Sequence, residues 1–172
     1  STGAATRFGN ASGFAAAGVF ANATSGQVNV GSVLTDALGS VVFDIAGGAT
    51  GVPSVTTTGP QTYNDAALLG LNTFLTSSTG VGHIRFNSTV DTHALAAFSS
   101  LEVNTLANTF FGDGGADQVG LARPLLSLLT DAPAAAFRGG NTTFNITGAT
   151  PSVTTTGFQI YNDAVQLAQN TV

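Results

Sequence analysis

The stretch PSVTTTGPQTYNDAALLGLNTF, residues 53–74, returns as PSVTTTGFQIYNDAVQLAQNTV, residues 151–172. Pro53 aligns with Pro151, Gly59 with Gly157, Gln61 with Gln159, Tyr63 with Tyr161 and Asp65 with Asp163, at a constant offset of 98 residues and without a gap. A chain of 172 residues that repeats itself this closely is built from repeated units, and such units finish their core by stacking on a neighbour.

Weaker echoes extend the pattern. GSVLTDALGSVVFDIAGGATGV (31–52) matches LSLLTDAPAAAFRGGNTTFNITGAT (126–150), with Asp36 opposite Asp131 and Phe43 opposite Phe137 or Phe144. TRFGNASG near the start is similar to TFFGDGGA at 109–116. The chain therefore reads as a single β-repeat domain over residues 1–172. Residues 1–52 are the end of one repeat, 53–150 a full repeat and 151–172 the start of the next. A chain that opens on Ser1 reads as a processed or partial chain.

The local periodicity is that of strands. HIRFNSTVD alternates Ile84 and Phe86 against His83, Arg85 and Asn87, and SVTTTG, LEVNTL and TTFNIT alternate in the same way. Gly-rich or Asn/Asp turns punctuate them at GGATG, STGVG, GDGGAD and RGGN. NDAALLGL has a helical composition, but its second copy alternates Val165 and Leu167 around Gln166, which favours a strand. For ARPLLSLLTDA a helix stays open, although GSVLTD at the equivalent place is more strand-like.

Charged residues are 8% of the chain, against about 25% in an ordinary soluble domain. The polar surface must be Thr, Ser, Asn and Gln. The net charge is −5, and the four arginines (Arg7, Arg85, Arg123, Arg138) are scattered, which excludes a phosphate-binding patch and nucleic acid as a partner. No run of about 18 apolar residues exists for membrane insertion.

The string G-x-Q-x-Y-N-D-A-x-x-L after T-T-T, then G-x-I-x-F-x-S-T-V-D, then TFFG…G…PLLSLLTDA, resembles the repeats of very large secreted bacterial surface proteins. These are the filamentous-haemagglutinin-like and autotransporter-like adhesins. The resemblance covers roughly residues 31–172. It implies an all-β, right-handed parallel β-solenoid at the cell surface or in a biofilm matrix; it does not imply an activity. The loop GGADQVGLARP and residues 11–30 depart from the pattern. They keep an alternative open, an antiparallel β-sandwich filament subunit with a donated strand.

An incomplete repeat leaves open strand edges, and an open edge is a template for pairing. The expected function is that of a structural extracellular protein, assembling into a fibre or filament by strand-edge stacking. Its partners would be copies of itself, joined head to tail as a homopolymer, or adjacent repeats of a longer chain. Val153, Thr155, Phe158, Ile160, Tyr161, Val165 and Leu167 form the candidate donor segment for β-augmentation; otherwise this segment folds onto its own chain. The rival function is an adhesin module that binds glycans through exposed Tyr, Asn and Asp.

Within the repeat, Gln61, Tyr63, Asn64 and Asp65, with Gln159, Asn162 and Asp163, read as structural. A Tyr buries its ring and keeps a hydrogen bond through its hydroxyl, inward glutamines could ladder between coils, and Asn-Asp suits a turn. Asp113 and Asp117 in FGDGGADQ are a candidate calcium site, although calcium wants six to eight oxygens and only two carboxylates are local. No other cofactor is expected. His83 and His93 lack the further ligands that zinc requires. No nucleophile–base set is present, there is no Cys or Lys, and Glu102 is the lone glutamate, so no catalytic residue is assigned. N-x-S/T sequons occur at Asn10, Asn22, Asn87, Asn141 and Asn145.

Overall fold

The computed structural model describes residues 6–9, 28–45, 52–148 and 150–170. Among these residues the chain is all β. In chain order the strands are β1 (Thr6–Phe8), β2 (Val28–Val30), β3 (Val33–Leu34), β4 (Ser40–Phe43), β5 (Val55–Thr57), β6 (Gln61–Tyr63), β7 (Ala66–Leu69) and β8 (Thr73–Ser77). They continue as β9 (Ile84–Phe86), β10 (Val90–Thr92), β11 (Leu101–Thr105), β12 (Thr109–Phe111), β13 (Leu128–Thr130), β14 (Asn141–Phe144), β15 (Gln159–Tyr161) and β16 (Ala164–Leu167).

They form three faces. The first is β2-β5-β8-β11-β13-β15 and the second is β3-β6-β9-β12-β14-β16. The third is β1-β4-β7-β10, continued by the single bridges Val90↔Val119 and Val119↔Val153. The chain visits the first, second and third face in turn and then begins the next coil, which makes it a parallel β-solenoid. Every ladder is parallel, so the antiparallel sandwich is set aside. The segment PLLSLLTD, open to a helix from its composition, supplies strand β13. Its Leu128 and Thr130 point inward, in register with the inward Leu101 and Val103 of β11, and the parallel ladder decides the conformation.

Alternation carries one side chain in two to the interior. Val55, Leu75, Val103, Ile84, Leu101 and Leu128 are all buried there. An aromatic column threads the core through Phe8, Phe43, Tyr63, Phe86, Phe111, Phe144 and Tyr161, with successive ring centroids 5.2–5.6 Å apart. That spacing follows the strand separation and falls in the favourable range for aromatic pairs. The column changes face as it climbs. Phe8 and Phe43 stand on the third face, Tyr63 to Phe144 on the second, and Tyr161 on the first.

The change of face has a simple origin. The chain contains a duplicated structural unit, and the second copy is turned by one face. TRF of β1 lies under SVVF of β4, with Phe8 opposite Phe43, and TFF of β12 lies under NTTF of β14, with Phe111 opposite Phe144. Gly9 (φ 82°) and Gly112 (φ 80°) follow the two lower strands. A Cβ there would come within 2.5 Å of the Asp44 carbonyl and 2.6 Å of the Asn145 carbonyl, so only glycine fits. The shared Thr-x-Phe-Gly of residues 6–9 and 109–112 is thus the same strand end made twice, and Phe43 corresponds to Phe144, not Phe137.

Candidate functional site

The two copies of the long repeat build one hydrogen-bond network, twice. In the first, the Tyr63 hydroxyl donates to Gln61 Oε1 (2.8 Å), Gln61 Nε2 to Thr57 Oγ1 (3.2 Å), and the Thr57 hydroxyl to the Gly59 carbonyl (2.6 Å). In the second, Tyr161 donates to Gln159 (3.0 Å), Gln159 to Thr155 (3.4 Å), and Thr155 to the Gly157 carbonyl (2.9 Å). Each network folds a polar set into one corner of a coil and satisfies it locally.

The strand beneath is matched as well. Gln61 pairs with Val33 and Thr62 with Leu34; Gln159 pairs with Leu128 and Ile160 with Leu129. Asn64 Nδ2 donates to the Thr35 carbonyl (2.7 Å) and Asn162 Nδ2 to the Thr130 carbonyl (3.3 Å). The LTD of residues 34–36 and the LTD of 129–131 are therefore the same floor under the same motif. The expected glutamine ladder does not form. Gln61 is on the second face and Gln159 on the first, so the two never stack; Gln61 bonds to Thr57 and to the Thr76 carbonyl of the next coil, and Gln159 to Thr155.

What differs is the cover. β6 carries β9 on its far edge and β7 carries β10. Among the described residues, β15 and β16 pair on one edge only, with β13 and β14. Tyr63, Gln61 and Leu69 are fully buried; Gln159 is exposed, Tyr161 is half-buried and Leu167 is 61% exposed. Phe158, Ile160 and Val165 add exposed apolar surface to the same rung. Burial pushes the Tyr63 hydroxyl far above its ordinary range, whereas Tyr161 is pushed up to about 12.

This rung is the candidate functional site, and it contains the whole expected donor segment. The segment is docked on its own chain: Val153 bridges Val119, Thr155 bridges to Leu125, and β15 and β16 complete the last coil. Its unpaired edge and uncovered inward side chains, Tyr161, Val165 and Leu167, are what it offers outward.

Asp65 is buried, and that burial raises its carboxyl above the usual range, with Thr35 opposing the rise and Asp36 adding to it. Asp163 accepts the hydroxyls of Thr130 (3.0 Å) and Thr142 (2.9 Å). With Tyr63 and Asp65 inside, the first copy presents no Tyr-Asn-Asp surface to a glycan. Asp117 Oδ2 accepts the Asp113 N–H (3.3 Å) and closes the Gly-rich turn on itself. Among the described residues no group of three or more His, Cys, Asp or Glu side chains is placed to hold a metal ion. His83 Nδ1 accepts the Asn108 N–H (3.0 Å).

Sequence reasoning missed two things. One is the buried Arg7–Asp44 ion pair, which joins β1 to the end of β4 and has no signal in either segment alone. The other is the one-face rotation between copies. No single segment signals it, because the LTD floor and the main repeat turn together by that one face.

No known protein family, no curated protein and no solved structure matches this chain. Among the described residues no helix is long and apolar enough to cross a membrane.

Proposed function

We propose that this chain is a structural β-solenoid module of an extracellular fibre or filament, extended by stacking of strand edges on the rung formed by β15 and β16. One observation carries the reading: Leu167 is 61% exposed where its twin Leu69 is fully buried. Fully burying a Leu side chain is worth about 1.5–3 kcal/mol, so covering this rung is favourable before any backbone hydrogen bond is counted. Low charge favours the same outcome, because stacked rungs carry few like charges to repel one another. The resemblance to surface-adhesin repeats supports a place at the cell surface. The strand laid on the rung comes from an adjacent repeat or another subunit.

Electron microscopy and native mass on purified protein test the proposal, with Val165→Lys and Leu167→Lys as variants. End-to-end association that both substitutions abolish, with the β circular dichroism retained, is the expected result. Assembly that persists with two charges on the rung, or protein that stays monomeric at every concentration and binds no added strand, overturns it. So does saturable glycan binding by a monomer that never associates, since that would make the chain a binding module.

A further inference from the structure

The duplicated unit also says what kind of strand belongs on the open rung. We infer that the occupant is a parallel β-strand of pattern aliphatic-x-Phe-Asn, followed after a short turn by a second strand with small inward residues. This rests on the reading of the rung as a stacking edge and specifies its partner.

In the first copy the cover is on the page. Over Gln61 lies Ile84, over Thr62 lies Arg85, and over Tyr63 lies Phe86. The Phe86 ring stacks on Tyr63 with centroids 5.2 Å apart and planes 23° from parallel. Asn87 Nδ2 donates to Asn64 Oδ1 (2.8 Å), which continues the asparagine contact from rung to rung. Over the inward Ala67 and Leu69 lie Val90 and Thr92. From β8 the Thr76 carbonyl accepts the Gln61 side-chain amide (2.9 Å).

The second copy presents the same receptor atoms. Its LTD floor, its Tyr–Gln–Thr–Gly network and its asparagine contact are matched, with Leu128 in place of Val33 and Ile160 in place of Thr62. Ile84, Phe86 and Asn87 therefore translate to positions over Gln159, Tyr161 and Asn162, and Val90 and Thr92 to positions over Val165 and Leu167. Aromatic stacking on Tyr161 completes a column that already spans the molecule, and pairs of this kind add about 0.5–1.5 kcal/mol beyond the area they bury.

The β1–β3 rung of a second copy does not fit this description. The strand that would continue β15's face is β2, Val-Asn-Val, with no aromatic to lay on Tyr161. The inward Phe8, Val28 and Val33 of that rung are also already buried.

The test uses the whole chain and a peptide of residues 73–92 as the probe, which supplies β8, β9 and β10 in their native order. Amide hydrogen exchange followed by NMR reads the result. Binding should slow exchange at 159–161 and 164–167 and leave β5 to β12 unchanged. The same peptide carrying Ile84→Ser and Phe86→Ser should bind at least about tenfold more weakly. No protection of the rung, or equal binding of the two peptides, overturns the inference. So does a rung already protected in an end-to-end dimer that the peptide cannot displace, because the better occupant is then a second copy. If end-to-end association occurs and Leu167→Lys abolishes it, yet the peptide protects nothing, the stacking function stands and only this occupant fails.

Discussion

Tyr63 and Tyr161 donate the same hydrogen bond to the glutamine two residues before them, at 2.8 and 3.0 Å, from different faces of one solenoid. The first pair is sealed inside, and the second lies on an open rung. Equal chemistry in unequal surroundings makes a direct test of burial. Tyr63→Phe leaves Gln61 Oε1 buried without its donor and should cost about 1–3 kcal/mol. Tyr161→Phe should cost much less, since water can reach Gln159. Urea unfolding of both variants decides this; equal losses would contradict the difference in cover.

Phe111 stacks between Phe86 and Phe144, with centroids at 5.3 and 5.2 Å, and is fully buried. Phe111→Ala should cost about 3–5 kcal/mol, because the stacked rings on both sides hold the cavity open. The expected readout is a denaturation midpoint well below that of the parent chain. A loss under 1 kcal/mol would mean that the column is not part of the core.

The glycines give a matched pair. Gly112 has φ 80°, and a Cβ there would sit 2.6 Å from the Asn145 carbonyl, whereas Gly80 has open space around it. Gly112→Ala should destabilise by more than about 1–2 kcal/mol, the cost of the left-handed conformation plus a clash. Gly80→Ala should be neutral or slightly stabilising, by up to about 1 kcal/mol. Thermal melts should show a clear loss for Gly112→Ala and none for Gly80→Ala.

Asp131 is buried at φ 50° and accepts the N–H groups of Thr105 (3.2 Å) and Gly139 (2.9 Å). Burial pushes its carboxyl up to about 6, with nearby Asp163 adding to the rise and the two N–H groups opposing it. In the unfolded chain this carboxyl titrates near 4. Between those values the folded chain holds a proton that the unfolded chain has lost, so Asp131 makes stability fall as pH rises from about 4 through about 6. Asn tolerates the same backbone conformation and cannot ionise. The difference in melting temperature between the parent chain and Asp131→Asn should therefore change across pH 4–6.5 and level off above it. A flat difference would refute the shift.

Much of this architecture was legible in residue order. HIRFNSTVD alternates in the sequence and forms β9 and β10, and NDAALLGL yields β7, as its second copy indicates. Tyr63, Gln61 and Thr57 lie within a few residues of one another, so their network is local and any copy of the string rebuilds it. PLLSLLTD was ambiguous because Leu suits helix and strand alike, and only the ladder beside it chooses. The candidate site was half legible. The donor residues were identified, and the ladder places them on their own coil with one edge open.

The residues alone determined the strands, the turns and the Tyr–Gln–Thr–Gly corner, since each is a matter of near neighbours in the chain. The tertiary structure decided which face each copy occupies. One turn carries the chain from Val55 to Leu75 and another from Thr130 to Tyr161, so coil length varies and the phase is a sum over every intervening loop. No single segment encodes that sum. Cover was decided in the same way: Tyr63 is sealed and Tyr161 open because burial belongs to the strand stacked above, not to the string that repeats.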